Sequence, residues 1–358
     1  MGAPMTISLL EPDLVPFADA PSPGTAIEVA PGLLWLRIAL PFRLNHINIY
    51  LVADHDGWTL IDTGGGDAPT QALWATLLEA GPEGPLRDRP ITRILATHHH
   101  PDHVGAAAFL CARTGAPLMM GNTEYLTALL LVTGDGLVRR DFYRRHGLDT
   151  EQTERVAGQP ARYRHMVPDL PRSFAALYAG DIVQIGTRRF TILELPGHSP
   201  AQIILHEPRE NILLVSDHVL TRISPNVSVT DRNPEDDPLG RYLASLAHLR
   251  ETIPDGGLVL PGHHLPFRRL HARTREIETH HFDRCAVIEE ACGATKGLTV
   301  AELVPILFPF PLDAHQFWFA FSEALAHVNH LARLGRLEGR DSHGRRRWGK
   351  VGRRSHSA

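Results

Sequence analysis

The sequence predicts an α/β fold, a sandwich of two β-sheets with helices outside, followed by a mostly helical C-terminal domain. Three observations lead there. Short runs rich in Val, Ile, Leu and aromatic residues, bounded by Gly, Asp and Pro, alternate with helix-like stretches. That rhythm is broken once by a helical insert and then resumes, which gives two sheet-forming halves. Beyond about residue 268 strand character stops.

The elements follow in order. Leu33 to Leu40, Ile47 to Ala53 and Trp58 to Ile61 read as strands, and Ala68 to Ala80 as a helix. A strand from Arg93 to Thr97, a helix from His103 to Arg113 and a short strand from Leu118 to Met120 come next. The insert runs from Asn122 to Leu177, helical and mixed, and carries Arg139, Arg140, Arg144 and Arg145. Strands resume at Ile182 to Ile185, Phe190 to Leu195, Ile203 to His206 and Ile212 to Val215; a helix from Leu239 to Glu251 precedes a last strand, Leu258 to Leu260. Helices over Arg269 to Cys292, Thr299 to Phe308 and Asp313 to Leu334, then a hairpin within Gly335 to Trp348, suggest a winged-helix-like module. The expected domains are a lead-in at 1–25, a catalytic domain at 26–268 with its insert at 122–177, and the C-terminal module at 269–358.

Composition narrows the function classes. With 358 residues, 43% hydrophobic and 21% charged, the chain can bury a substantial core, and a net charge of −4 gives it no overall bias toward polyanions. Three scattered cysteines, Cys111, Cys285 and Cys292, make neither a disulfide framework nor a cysteine zinc site, so a reducing, cytoplasmic setting is expected. The first 24 residues lack a basic start and an apolar stretch, so no signal peptide is expected, and no apolar run reaches the length of a membrane span.

The chemistry concentrates at Thr97-His98-His99-His100-Pro101-Asp102-His103, between an apolar strand and a helix. On extended backbone His98 and His100 point the same way, toward one ion. Asp102 and His103 lie one turn on and can face a second. Histidine and carboxylate are the donors that catalytic zinc accepts. Chance would produce this spacing in about one such chain in two hundred, so the loop alone does not decide. Four further segments do. Asp62 ends a strand before Thr63-Gly64-Gly65-Gly66, and Pro196-Gly197-His198, Ser216-Asp217-His218 and Pro261-Gly262-His263 each follow one. All five would converge on one edge of the sandwich, where loops build active sites.

In this order, Leu60-Ile61-Asp62-Thr63-Gly64, THHHPDH, PGHS, SDH and PGH resemble the five motifs of the metallo-β-lactamase superfamily, more narrowly its glyoxalase II-like branch, over residues 30 to 268. The C-terminal part resembles the winged-helix-like module of a subgroup that includes LACTB2-like proteins. The resemblance implies a four-layer αββα sandwich and two divalent metal ions, zinc first, with iron, manganese or cobalt as alternatives. It places His98, His100 and His198 on one metal, Asp102, His103 and His263 on the other, and Asp217 across both. Asp62 would orient a ligand histidine, and Asp102 would also assist proton movement. His99, His218 and His264 should point away, and His280 and His281 should be surface or packing residues of a helix. No cysteine stands where a zinc β-lactamase of the commonest type would use one, which disfavours penicillin hydrolysis.

The expected reaction is hydrolysis by a hydroxide shared between two metals, on a thioester or another activated ester. The insert arginines would receive an anionic carrier such as glutathione or coenzyme A, or else form a solvated helix face. A metal-dependent endoribonuclease is the alternative. Residues Arg340 to Arg354 hold seven Lys or Arg against one Asp, and LACTB2-like relatives act on RNA. That module would otherwise pack on the catalytic domain or on a second subunit in a homodimer. A flavin-dependent iron electron carrier is disfavoured, because no flavodoxin-like extension follows. No membrane partner is expected.

Overall fold

In a computed structural model, residues 16–134 and 138–352 are described. The lead-in up to residue 15 and the last two arginines of the basic tail, Arg353 and Arg354, lie outside them. The described residues form two compact units: 16–134, 161–225 and 248–274 make the first, and 138–160, 226–247 and 275–352 the second.

The first unit holds two sheets. One is built from β1 (Ala26–Ala30), β2 (Leu33–Ala39), β3 (His46–Ala53), β4 (Trp58–Ile61), β5 (Ile91–Ala96), β6 (Leu118–Gly121) and β7 (Ala175–Leu177), in that spatial order. The other contains β8 (Ile182–Ile185), β9 (Arg188–Leu195), β10 (Gln202–Glu207), β11 (Ile212–Ser216) and β12 (Leu258–Pro261), again in neighbouring order. β1 to β4 and β8 to β11 pair antiparallel, whereas β4 through β7 and the pair β11–β12 run parallel.

The two-residue period of a strand explains both faces of the first sheet. Along β2, Leu33 and Trp35 join Tyr50, Val52, Ile61 and Leu95 in a core with Phe190, Ile192, Ile203, Leu205 and Leu214 of the second sheet. Leu34, Leu36 and Ile38 point the other way. They meet α1 (Ala68–Glu79), through Trp74 and Leu77, together with Val104 of α2 (Pro101–Val104), Leu110 of α3 (Ala107–Thr114) and Tyr125 of α4 (Asn122–Thr133). Ile204, Leu213, Val215 and Val259, on the outer face of the second sheet, are buried as well. A strand buried on both faces is continuously apolar, as Ile212 to Val215 is.

β1 and β7 were not legible in the sequence, and the helix expected from His103 to Arg113 is broken. Gly105 is the reason. A Cβ there would lie 2.3 Å from the Pro101 carbonyl oxygen and 2.4 Å from that of Met166. The next amide, Ala106, leaves the helix to bond the Gly64 carbonyl and Thr63 Oγ1.

In the second unit are α5 (Arg140–Arg145), α6 (Thr150–Ala157) and most of α9 (Leu270–Gly293), with α10 (Val300–Leu307), α11 (Ala314–Arg333), β13 (Leu337–Ser342) and β14 (Arg345–Lys350); α7 (Gln159–Met166) and α8 (Pro238–Thr252) complete the helices. α11 is buried without interruption from Ala320 to Leu331, so it is the central helix here. It packs on α10, α6 and β13. Phe142, Tyr143 and Val156 are the buried face of the two insert helices, and the Tyr143 ring lies tilted against Phe321 of α11, 5.7 Å between centroids. Among the described residues no helix is long and apolar enough to cross a membrane. Cys285 and Cys292 are buried free thiols and Cys111 is a half-buried one.

Candidate metal centre

Five strand ends build the site. Asp62 follows β4, His98 follows β5, His198 follows β9, Asp217 follows β11 and His263 follows β12, and loops at the C-terminal ends of such strands are where α/β sheets place their ligands. The structure brings all seven proposed ligands together. One donor atom each from His98, His100 and His198 lies within 4.8 Å of the others, and the same holds for Asp102, His103 and His263. Asp217 joins the two trios. One carboxylate oxygen is 3.6 Å from His198 Nε2 and 3.2 Å from His263 Nε2, and the other is 3.5 Å from His103 Nε2.

The imidazoles are aimed by their far nitrogens. A carboxylate only accepts, so at 2.8 Å from Asp62 the His103 Nδ1 carries the proton and Nε2 faces the site with a lone pair. His263 Nδ1 donates to the His46 carbonyl at 2.6 Å, to the same effect. Asp62 also accepts from the Thr97 amide and hydroxyl at 2.7 and 3.0 Å, which ties the strand end to the histidine loop. Asp62 and Ser216 both adopt left-handed backbone, φ 62° and 46°. Such strain costs about 1–3 kcal/mol per residue and persists where surrounding contacts over-determine it; here those contacts are the Asp62, Thr97 and Ser216 hydrogen bonds.

Glu124 of α4 is a residue the sequence gave no reason to single out. Its buried carboxylate accepts from the His99 amide (3.0 Å), His99 Nδ1 (2.6 Å), Ser199 Oγ (2.7 Å) and the Ala201 amide (2.7 Å). It therefore clasps the loop of His98 and His100 to the loop of His198. Burial pushes its pKa up, but His99 and the other donors outweigh this and hold it below the ordinary carboxylate range. Tyr163 adds a bond to the His99 carbonyl at 2.6 Å. His99 thus points away from the site, and His264 offers its backbone to His46, Arg37 and Asn48. His281 is fully buried, which fits the packing alternative and not the surface one.

The electrostatics ask for cations. His98 and His100 are pushed well below the usual imidazole pKa, by burial first and by neighbouring histidines second. His263 is pushed up to about 10, because Asp217 and Asp102 overcome the burial that works against its charge. His103 is raised for the same reason, with Asp62 the strongest carboxylate. Asp62, Asp102 and Asp217 thus favour positive charge at His103 and His263, a charge that divalent ions on the Nε2 lone pairs would supply instead. Buried His98 Nε2, His103 Nε2 and Asp217 Oδ1 lack hydrogen-bond partners among the described residues. Orphaned lone pairs around a carboxylate are a donor set that fits divalent metal ions.

The insert arginines belong to the second unit, where acids of that unit meet most of them. Arg140 is bidentate to Glu154 at 2.8 and 2.9 Å, Arg145 reaches Asp341 at 2.7 Å, and Arg139 lies 3.4 Å from Asp141.

Fold and site together define a metal-dependent hydrolase of the αββα class. The chain belongs to the metallo-beta-lactamase superfamily, whose family profile matches residues 43–263; the profile of the metallo-beta-lactamase-like C-terminal domain matches 285–351. It is similar to the acyl-coenzyme A thioesterase MBLAC2 of Gallus gallus, with 30% identity over 243 residues, covering 65% of this chain and 77% of the relative. It is also similar to a hydroxyacylglutathione hydrolase of Cereibacter sphaeroides, with 26% identity covering 51% of this chain and 53% of the relative. A crystal structure of a beta-lactamase domain protein from Burkholderia ambifaria superposes with a TM-score of 0.87 at 37% identity, covering 94% of this chain and 98% of that one.

Proposed function

We propose that this chain is a binuclear metal hydrolase that cleaves thioesters. The observation that carries the reading is Asp217, whose carboxylate lies within 3.6 Å of donor atoms from both histidine trios. His98, His100 and His198 would hold one divalent ion, Asp102, His103 and His263 the other, and Asp217 both, with zinc the expected metal. Bound there, the pair would supply Lewis acidity toward an acyl carbonyl and toward water.

The chain's own residues do the rest. Asp62 and the His46 carbonyl keep His103 and His263 in the tautomer that faces the site, and Glu124 fixes the spacing of the other trio. Asp102 is the most exposed of the site carboxylates, at 15% of its side chain against 8% for Asp217 and 4% for Asp62. It is therefore the one placed to pass a proton to a departing thiolate, and it doubles as a ligand. Two relatives, an acyl-coenzyme A thioesterase and a hydroxyacylglutathione hydrolase, support the substrate class.

A panel of acyl-coenzyme A and hydroxyacylglutathione thioesters, followed by thiol release with zinc-loaded protein, tests this. Turnover of at least one member is expected. No thiol release from any member, with cleavage of single-stranded RNA instead, would move the assignment to the nuclease. That reading is the weaker, because Arg340, Arg346 and Arg347 of the basic tail are paired with Glu338, Asp341 and Glu302.

A further inference from the structure

The second unit contains its own cluster of metal-ligating side chains, far along the chain from the five motifs. Glu323 and His327 are four residues apart on α11 and so share one helix face, one turn apart. His281 of α9 faces them. One donor atom from each of the three lies within 4.8 Å of the others, and all three residues are buried, His281 and His327 with no exposed surface.

The bonding around the cluster repeats a device of the catalytic centre. His327 Nδ1 donates to the Glu323 carbonyl at 2.8 Å, as His263 Nδ1 does to that of His46, and this leaves His327 Nε2 as a lone pair. His281 Nδ1 is 3.1 Å from that lone pair. Two nitrogens bound to one tetrahedral zinc at about 2.0–2.1 Å stand about 3.3 Å apart, so the separation suits two ligands of one ion. It suits a hydrogen bond between two neutral imidazoles equally, and Glu323 separates the two readings: a hydrogen-bonded pair calls for no third donor, whereas this buried carboxylate brings one within 4.8 Å of both rings. The Glu323 carboxylate is steadied from outside by Arg284 at 3.2 Å and Asn226 at 3.1 Å, and each of its oxygens keeps a further lone pair. Partners behind a ligand carboxylate hold it in place for an ion.

We propose that His281, Glu323 and His327 form a third metal site, binding one divalent transition ion, zinc first, that clamps α9 to α11. Two imidazoles and one carboxylate on facing helices are a set zinc and iron(II) both accept. Being buried, the site is structural. It is independent of the catalytic reading.

The test is metal content. Full-length protein is saturated with zinc, freed of loosely held ion by gel filtration and analysed by mass spectrometry beside His327→Gln and His281→Asn. Both substitutions leave the Glu323–Arg284 pair intact, so that one folded variant suffices; folding is checked by circular dichroism. Each folded variant should carry one equivalent fewer than the parent, and the parent should lose a separate unfolding step toward higher temperature when chelated. The difference reads this site alone, while the metal remaining in the variant reads the catalytic centre. Equal metal content in the parent and a folded variant would overturn the proposal and leave a neutral histidine pair.

Discussion

Glu124→Gln should loosen one half of the metal centre without touching a ligand. In the parent, four donors converge on two carboxylate oxygens: Ser199 Oγ and the Ala201 amide on one, the His99 amide and His99 Nδ1 on the other. An amide offers a single oxygen. If its NH2 takes the first position, the Ser199 hydroxyl turns to accept, but the Ala201 amide is orphaned. If it takes the second, His99 switches tautomer and its own backbone amide is orphaned. Either way one buried N–H loses its partner, at about 1–3 kcal/mol, and the remaining bonds lose their charge assistance. The total is about 2–4 kcal/mol of stability. Metal held by His98, His100 and His198 should weaken about 10- to 100-fold, the usual cost of removing an orienting partner. Thermal unfolding and a competitive zinc titration measure the two effects. A variant that melts with the parent and titrates like it would show that Glu124 is not the clasp between the two loops.

Asp62→Asn should likewise cost about 10- to 100-fold in metal affinity at the second trio, since the amide no longer compels His103 to hold its proton on Nδ1; a chelator competition reads it. Gly105→Ala should lower stability by about 1–3 kcal/mol or more, because the new methyl meets backbone oxygens of Pro101 in α2 and Met166 at the end of α7; denaturant unfolding reads it. Burial and then Arg346 and Arg145 bring His146 down to about 4. The unfolded chain therefore binds the extra proton first, and stability falls as pH drops from about 6.5 toward 4, by about 3 kcal/mol in all. His146→Gln should remove that part of the acid sensitivity, and pH-dependent melting curves of the two proteins show whether it does.

What the sequence made legible was what local pattern carries. Apolar runs such as Ile212 to Val215 announce strands, and a ligand placed just after a strand must sit at the sheet edge wherever that strand goes. The five motifs therefore located the site before any strand order was known. Glu124 was hidden because its role arises only when α4 passes two loops 25 and 75 residues away; a lone glutamate in a helix carries no signal of that. His281 and His327 are 46 residues apart, on helices whose facing is a tertiary fact. The helix break after α2 comes from close packing of Gly105 on Met166 and Gly66, which no propensity encodes. The insert read as one stretch divides in the structure, since Phe142, Tyr143 and Val156 find their apolar partners among the C-terminal helices. β1 and β7 are short edge strands, and their sequences alternate too weakly to stand out.

The central claim is that one carboxylate serves two ions. Anomalous diffraction from crystals grown with zinc tests it most directly. Two peaks about 3.5–4 Å apart, each about 2.0–2.2 Å from an oxygen of Asp217, are the expected result. A single peak between the two trios, or two peaks with Asp217 bound to neither, would contradict the account.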